Sequence, residues 1–125
     1  MISQLQIGYW CLLNRRGRAF RGYSLANILS EINKSINEQS MLVITDQQEN
    51  ILGVCVAEKK EKILFVRHIL TVKSGVVKQM MSYFLRMFPS YTLEGHVEQR
   101  LRKFNNSQKL FKISIKYNFL SIISH

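Results

Sequence analysis

Residues 63–98 read ILFVRHILTVKSGVVKQMMSYFLRMFPSYTLEGHVE, and this stretch decides the fold. Ile63 to Val72 is apolar and β-branched, the composition of a strand. Lys73-Ser74-Gly75 follows as a short glycine turn. Val76, Val77, Met80, Met81, Phe84, Leu85 and Phe88 recur at helical spacing, which predicts an amphipathic helix from about Gly75 to Phe88, stopped by Pro89. Tyr91 to Glu98 alternates, with Tyr91, Leu93, Gly95 and Val97 on one side and Thr92, Glu94, His96 and Glu98 on the other, so it reads as a second strand. A strand, a crossover helix and a strand set the two strands parallel. The turn between the first strand and the helix presents backbone N–H groups at a helix N-terminus, where a phosphate can bind.

Working outward toward the N-terminus, Glu58 to Lys62 (EKKEK) reads as a polar turn and Ile51 to Ala57 (ILGVCVA) as a strand. Asp46 to Asn50 is turn chemistry, and Met41 to Thr45 (MLVIT) is a short buried strand. Three strands joined by short polar loops make an antiparallel meander. Gly53, inside its strand, marks either a bulge or a close backbone approach. Ser24 reads as the N-cap of a helix that places Leu25, Ile28, Leu29, Ile32 and Ile36 on one face and Asn27, Glu31, Lys34 and Glu38 on the other. Ile2, Leu5, Tyr9, Leu12 and Leu13 give Ile2 to Asn14 a helical spacing as well. Between these helices lies a basic loop, with Arg15, Arg16, Arg18 and Arg21 around Gly17 and Gly22. It reads as a solvated loop or as a bidentate clamp for phosphate.

Toward the C-terminus, Gln99 to Asn106 is a basic turn or loop, Ser107 caps a short helix with Leu110, Phe111 and Ile113, and Tyr117 to Ile123 is a last strand. The expected fold is therefore α/β (α+β): an antiparallel meander followed by a β-α-β crossover in one mixed sheet, with helices on both faces, in a single domain over residues 1–125.

The 46% hydrophobic and 21% charged content is that of a folded chain rather than a disordered one. No apolar run approaches the roughly 18–20 residues of a membrane span. No basic segment precedes an apolar one at the N-terminus, so a secretory leader is not expected and a cytoplasmic location is. Cys11 and Cys55 sit in apolar company without a metal-binding pattern and read as buried free thiols; no metal site is expected. The formal net charge of +10 falls mostly after residue 62, where 10 Lys/Arg face 2 acids. Such an excess points to anionic partners: nucleic acid, a phosphorylated cofactor or an acidic protein. The arginine loop, together with Arg100, Arg102 and Lys103 and the interleaved Phe104 and Phe111, would supply a basic stripe for a non-catalytic nucleic-acid or protein binder.

The element order, with a glycine turn after the third meander strand, resembles the GNAT superfamily of N-acyltransferases over almost the whole chain. In that family acyl-CoA lies where the strands flanking the crossover helix splay apart, and its pyrophosphate rests on turn amides that usually read Q/R-x-x-G-x-G/A. The matching stretch here is Val72-Lys73-Ser74-Gly75-Val76-Val77, continuing to Lys78, and only the first glycine of the motif is kept. Tyr23 to Ala57 and LFVRHILTVKSGVVKQMMSYFLRMFP are similar to the toxin-activating lysine-acyltransferases, a GNAT-like branch that takes its acyl group from acyl carrier protein. That branch uses a histidine before the second helix and an aspartate in the strand before the glycine turn. Their positions fall at or near Phe20 and at Arg67, and neither a phenyl ring nor a guanidinium exchanges a proton at neutral pH. A register shift of one residue puts His68 at the second position.

The resemblance implies transfer of an acyl group from CoA or acyl carrier protein to an amine, such as a protein lysine. His68 is the general-base candidate, and its other reading is a hydrogen-bonded core histidine sharing a strand face with Val66 and Leu70. Glu94, His96 and Glu98 either bind the amine or form a solvated face, and Tyr83 and Tyr91 are candidate acids for the leaving thiolate. A protein of a phage or mobile element that keeps the fold for a structural role is a further expectation.

Overall fold

The computed structural model describes residues 2–17, 19–72 and 74–95. The expectations for Arg18, Lys73, His96, Glu98, Arg100, Arg102, Lys103, Phe104, Phe111 and the last helix and strand lie outside the described residues. In chain order the elements are α1 (Gln4–Leu13), α2 (Leu25–Asn37), β1 (Met41–Thr45), β2 (Ile51–Lys60), β3 (Ile63–Thr71), α3 (Ser74–Met87) and β4 (Thr92–Gly95). The sheet runs β1-β2-β3-β4. Its first three strands pair antiparallel, and β4 joins β3 in parallel from Ile63↔Thr92 to Val66↔Gly95. The mixed α/β sheet expected from residues 63–98 is thus the one observed.

Each face of the sheet buries its own core. On one face α3 contributes Val76, Val77, Met80, Met81, Phe84 and Phe88, packed on Leu42, Ile44, Cys55, Ala57, Leu64, Val66 and Leu93. On the other, Ile7 and Cys11 of α1, Ile28 and Ile32 of α2, and Ala19 and Phe20 of the loop between them pack on Met41, Val43, Val54, Val56 and Leu70. Both cysteines are free and buried, and loss of hydration raises both thiol pKa values, that of Cys11 to about 12, so both stay protonated and unreactive at neutral pH. Ser24 caps α2 by accepting a hydrogen bond from the Asn27 amide, and Ser3 caps α1 in the same way from Gln6.

The face expected for the first helical segment is only partly the buried one, since Ile2 and Leu12 pack on the core but the other three residues do not. Leu5, Tyr9 and Leu13 are 51%, 48% and 80% exposed, while Ile7, Gly8 and Cys11 face inward. Gly8 lets the helices touch, since a Cβ there would lie 2.6 Å from a Leu29 methyl on α2. The sequence QLQIGYWCLL carries no charge, so its apolar residues ring the helix and give the periodicity no phase. One turn also differs from expectation. Glu58, Lys59 and Lys60 extend β2, leaving Glu61 (φ 57°) and Lys62 as the whole hairpin turn. The crossover helix α3 starts at Ser74, one residue before the expected Gly75, and a Cβ at Gly75 would meet nothing within 4 Å.

At Gly53 both expected features coincide. The β1–β2 register slips beside it, with Ile44 opposite Gly53 and Thr45 opposite Ile51. An added Cβ would lie 2.9 Å from both Met80 Sδ and Val76 Cγ1, so α3 rests directly on the glycine backbone. Gly53→Ala is expected to destabilise by about 1 kcal/mol, because overpacking outweighs the strand's gain in losing a glycine. Urea unfolding measures it, and a neutral or stabilising result would mean that α3 does not press on this point.

Candidate functional site

A second bulge shapes the middle of the sheet. Ala57 pairs with Val66 and Val56 with His68, so Arg67 is the extra residue on β3. The consequence is a change of face. Leu64 and Val66 belong to the α3 side, whereas Leu70 belongs to the α1/α2 side, and His68 and Arg67 both reach residues of the α1/α2 side. His68 therefore does not share a face with Val66, as simple alternation requires; the bulge inserts the step that reverses it. Two buried serines grip β2 at the same level, with Ser35 and Ser40 donating to the Ala57 carbonyl at 2.8 and 2.7 Å.

Against this bulge the α1–α2 loop folds through three left-handed residues, Gly17 (φ 62°), Phe20 (φ 56°) and Gly22 (φ 76°). Glycine accepts that conformation freely; a bulky residue such as phenylalanine does not. Phe20 is held there by its surroundings. Its ring is fully buried and stacks on His68 at 4.1 Å and 17°, and its N–H donates to His68 Nδ1 at 3.1 Å. Arg15 donates to the Tyr23 carbonyl at 2.7 Å, and Arg16 donates to the carbonyl of Thr71 at the end of β3. These two arginines tie the loop down with their guanidinium groups while remaining exposed.

The contact with Phe20 fixes the imidazole tautomer. A backbone N–H can only donate, so Nδ1 carries a lone pair. Burial is the chief cause that lowers the His68 pKa to about 4; the nearby Glu31 charge opposes it and that of Arg67 adds to it. At neutral pH the ring is uncharged, and its proton must sit on Nε2, which faces the Tyr23 hydroxyl at 3.3 Å. The Tyr23 ring stands edge-on to both His68 and Phe20, with centroids at 5.0 and 5.7 Å.

Arg67 completes the group. Its Nε binds Glu31 Oε1 at 2.8 Å and its Nη1 meets Glu58 Oε2 at 3.4 Å, while Lys34 reaches the other Glu58 oxygen at 3.6 Å. Two cations and two carboxylates balance here. Desolvation draws the guanidinium pKa down, but Tyr23 and Glu31 outweigh it and the net shift is upward, so Arg67 is a permanent cation and donor. Glu31 is thus turned into this network rather than lying on a fully solvated face.

The other expected site residues lie elsewhere. Tyr83 and Tyr91 pack on the α3 side of the sheet, across from His68. Glu94 is exposed on β4. In the stretch matched to the pyrophosphate loop, the Val72 amide is already bonded to the Leu52 carbonyl at 2.9 Å. Val76 and Val77 bury their side chains in the core, while Gly75 and Lys78 are exposed. What this stretch offers a ligand is the first-turn amides of α3 from Ser74 onward. Tyr23 and Glu31 were not among the sequence candidates. The one signal for Tyr23 is an aromatic residue directly before the helix cap Ser24, a position whose side chain commonly packs back on the first turns of the helix.

No protein-family model matches the chain, and no curated protein or solved structure shows significant similarity to it.

Proposed function

We propose that this protein is a GNAT-like N-acyltransferase that moves an acyl group from CoA or acyl carrier protein to an amine. One observation carries the reading. The positions matched to the catalytic pair of the toxin-activating branch, at or near Phe20 and at Arg67 or its neighbour, meet in space through the Phe20–His68 contact. They meet although 48 residues separate them in the chain. The bulge brings Arg67 and His68 to the same face, which supports the reading in either register. A left-handed, fully buried phenylalanine is a strained arrangement, and strain of this kind clusters at functional sites.

The residue types at the pair differ from those of the branch, so the roles differ too. With Nδ1 and Nε2 both engaged internally, His68 in this reading holds its neighbours in place instead of taking a proton from the acceptor amine. Acyl transfer to a neutral amine needs positioning and stabilisation of the developing oxyanion more than an obligatory base. The acyl donor's phosphates would lie on the α3 first-turn amides, and its thioester arm would run along β3 toward the bulge. His68 is four residues from Val72, roughly 13 Å of extended strand, a span within reach of an extended pantetheine arm.

Acetyl-CoA, or acyl carrier protein loaded with an acyl group, is expected to shift the amide resonances of Val72 to Lys78 in a titration followed by NMR. If both donors at saturation leave those resonances unmoved, the acyltransferase reading fails. In that event, affinity for nucleic acid or an acidic protein that falls steeply with salt would identify a binding module instead.

A further inference from the structure

We propose that the Tyr23 hydroxyl donates a hydrogen bond to the carbonyl oxygen of the acyl donor's thioester, and that His68 is the residue that positions it. The inference rests on the acyltransferase reading and adds to it the group that meets the reacting atom.

The argument is one of donors and acceptors. Phe20 N–H occupies Nδ1 of His68, which obliges Nε2 to be the protonated nitrogen of the neutral ring. Tyr23 Oη therefore accepts from His68 and cannot donate to it. The nearby Arg67 guanidinium, bonded to Glu31 and Glu58, has donors only. Glu31 is engaged by Arg67 through both carboxylate oxygens, at 2.8 and 3.4 Å. Oη thus receives the His68 hydrogen bond while its own proton has no acceptor among the described residues, and the side chain is only half-buried. A phenol in this state is free to donate to an external oxygen. The donor on its oxygen also polarises the O–H bond, which strengthens the bond it gives.

Arg67 and Lys34 are matched by Glu31 and Glu58, while Arg15 and Arg16, bonded to the Tyr23 and Thr71 carbonyls, leave the rim of the site positive. A carbonyl oxygen that becomes negative during reaction suits such surroundings. In the step, the amine lone pair forms the C–N bond and the carbonyl π pair moves to oxygen, where the Tyr23 O–H steadies it without giving up its proton. Re-formation of the carbonyl then breaks the C–S bond. The thiolate leaves, and the proton lost by the ammonium passes through water to that thiolate, giving the free thiol.

The test uses acetyl-CoA labelled with ¹³C at the carbonyl, or acyl carrier protein loaded with the same acetyl group, whichever binds. The labelled carbonyl stretch is read by infrared difference spectroscopy for the wild-type chain and for Tyr23→Phe, with thermal unfolding as the check on folding. The expected result is a bound carbonyl at lower frequency than in free donor, a return toward the free value in Tyr23→Phe, and similar donor affinity in the two proteins. A purely structural Tyr23 would leave the frequency unchanged by the substitution. A donor that binds with an unshifted carbonyl in the wild-type chain overturns this inference alone, whatever the stability of the variant. If neither donor binds, the acyltransferase reading falls and takes the inference with it.

Discussion

Phe20→Ala is expected to lower the unfolding free energy by about 3–5 kcal/mol, the usual range for emptying a buried aromatic site. Three features place it at the upper part of that range. The ring is fully buried among the side chains of α1, α2 and the sheet. It stacks at 4.1 Å on the His68 imidazole, so the cavity would open beside a polar group. The alanine would still sit at φ 56°, where any residue with a Cβ is strained. A comparison of small residues isolates that last effect. Glycine ordinarily destabilises a folded chain relative to alanine, by roughly 0.5–1 kcal/mol within regular elements. At Phe20 the order is expected to reverse, with Phe20→Gly more stable than Phe20→Ala by about 1 kcal/mol, because left-handed geometry is free of strain only for glycine. Urea unfolding of the two variants decides it. If Phe20→Gly is the less stable of the pair, the left-handed loop conformation is wrong, and with it the route by which the Phe20 amide reaches His68.

Residues 63–98 made the parallel crossover from β3 to β4 legible because their periodicity changes cleanly, from a β-branched run to a helical stripe and back to alternation, while the polar turns before them marked the meander. The second helix was equally legible, through Ser24 and the stripe from Leu25 to Ile36. The first helix was visible as a helix but not in its orientation. An uncharged segment offers hydrophobic residues in every direction, and only Gly8, by allowing close approach to Leu29, marks the buried side. The bulge at Arg67 was hidden for a different reason. It is a count of backbone residues between two paired strands, and neither β2 nor β3 marks it with glycine or proline. Its effect on side-chain direction is nevertheless what assembles the site, by bringing Arg67 and His68 to the same face. Phe20 escaped notice as a left-handed residue because that conformation is read from glycine and asparagine, and here the stacked imidazole holds it instead.

Acidification gives the second large effect, and its sign follows from the same contact. The folded His68 pKa, about 4, lies below the ordinary value of 6.5, chiefly because burial penalises the imidazolium. The unfolded chain therefore takes up the proton first as pH falls. The stability associated with the neutral ring is fully present above pH 6.5, is lost between 6.5 and 4, and changes no further below 4. The loss across that window is on the order of 2 kcal/mol, less than the full shift implies because the ring edge toward half-exposed Tyr23 is partly screened by water. Asp46 does not obscure the window. Hydrogen bonds from the Asn50 backbone and side chain, with that from the Gln48 backbone, lower its pKa from 3.8, so its contribution disappears only at more acidic pH. Urea midpoints measured from pH 7 to 4 should fall for the wild-type chain and stay nearly level in this window for His68→Gln, which keeps an acceptor for the Phe20 amide but has no proton to gain. A wild-type midpoint that is flat, or that rises as pH falls, would mean that His68 is not a buried neutral ring. The tautomer that frees the Tyr23 proton would then lose its basis, because a protonated Nδ1 can no longer accept from Phe20.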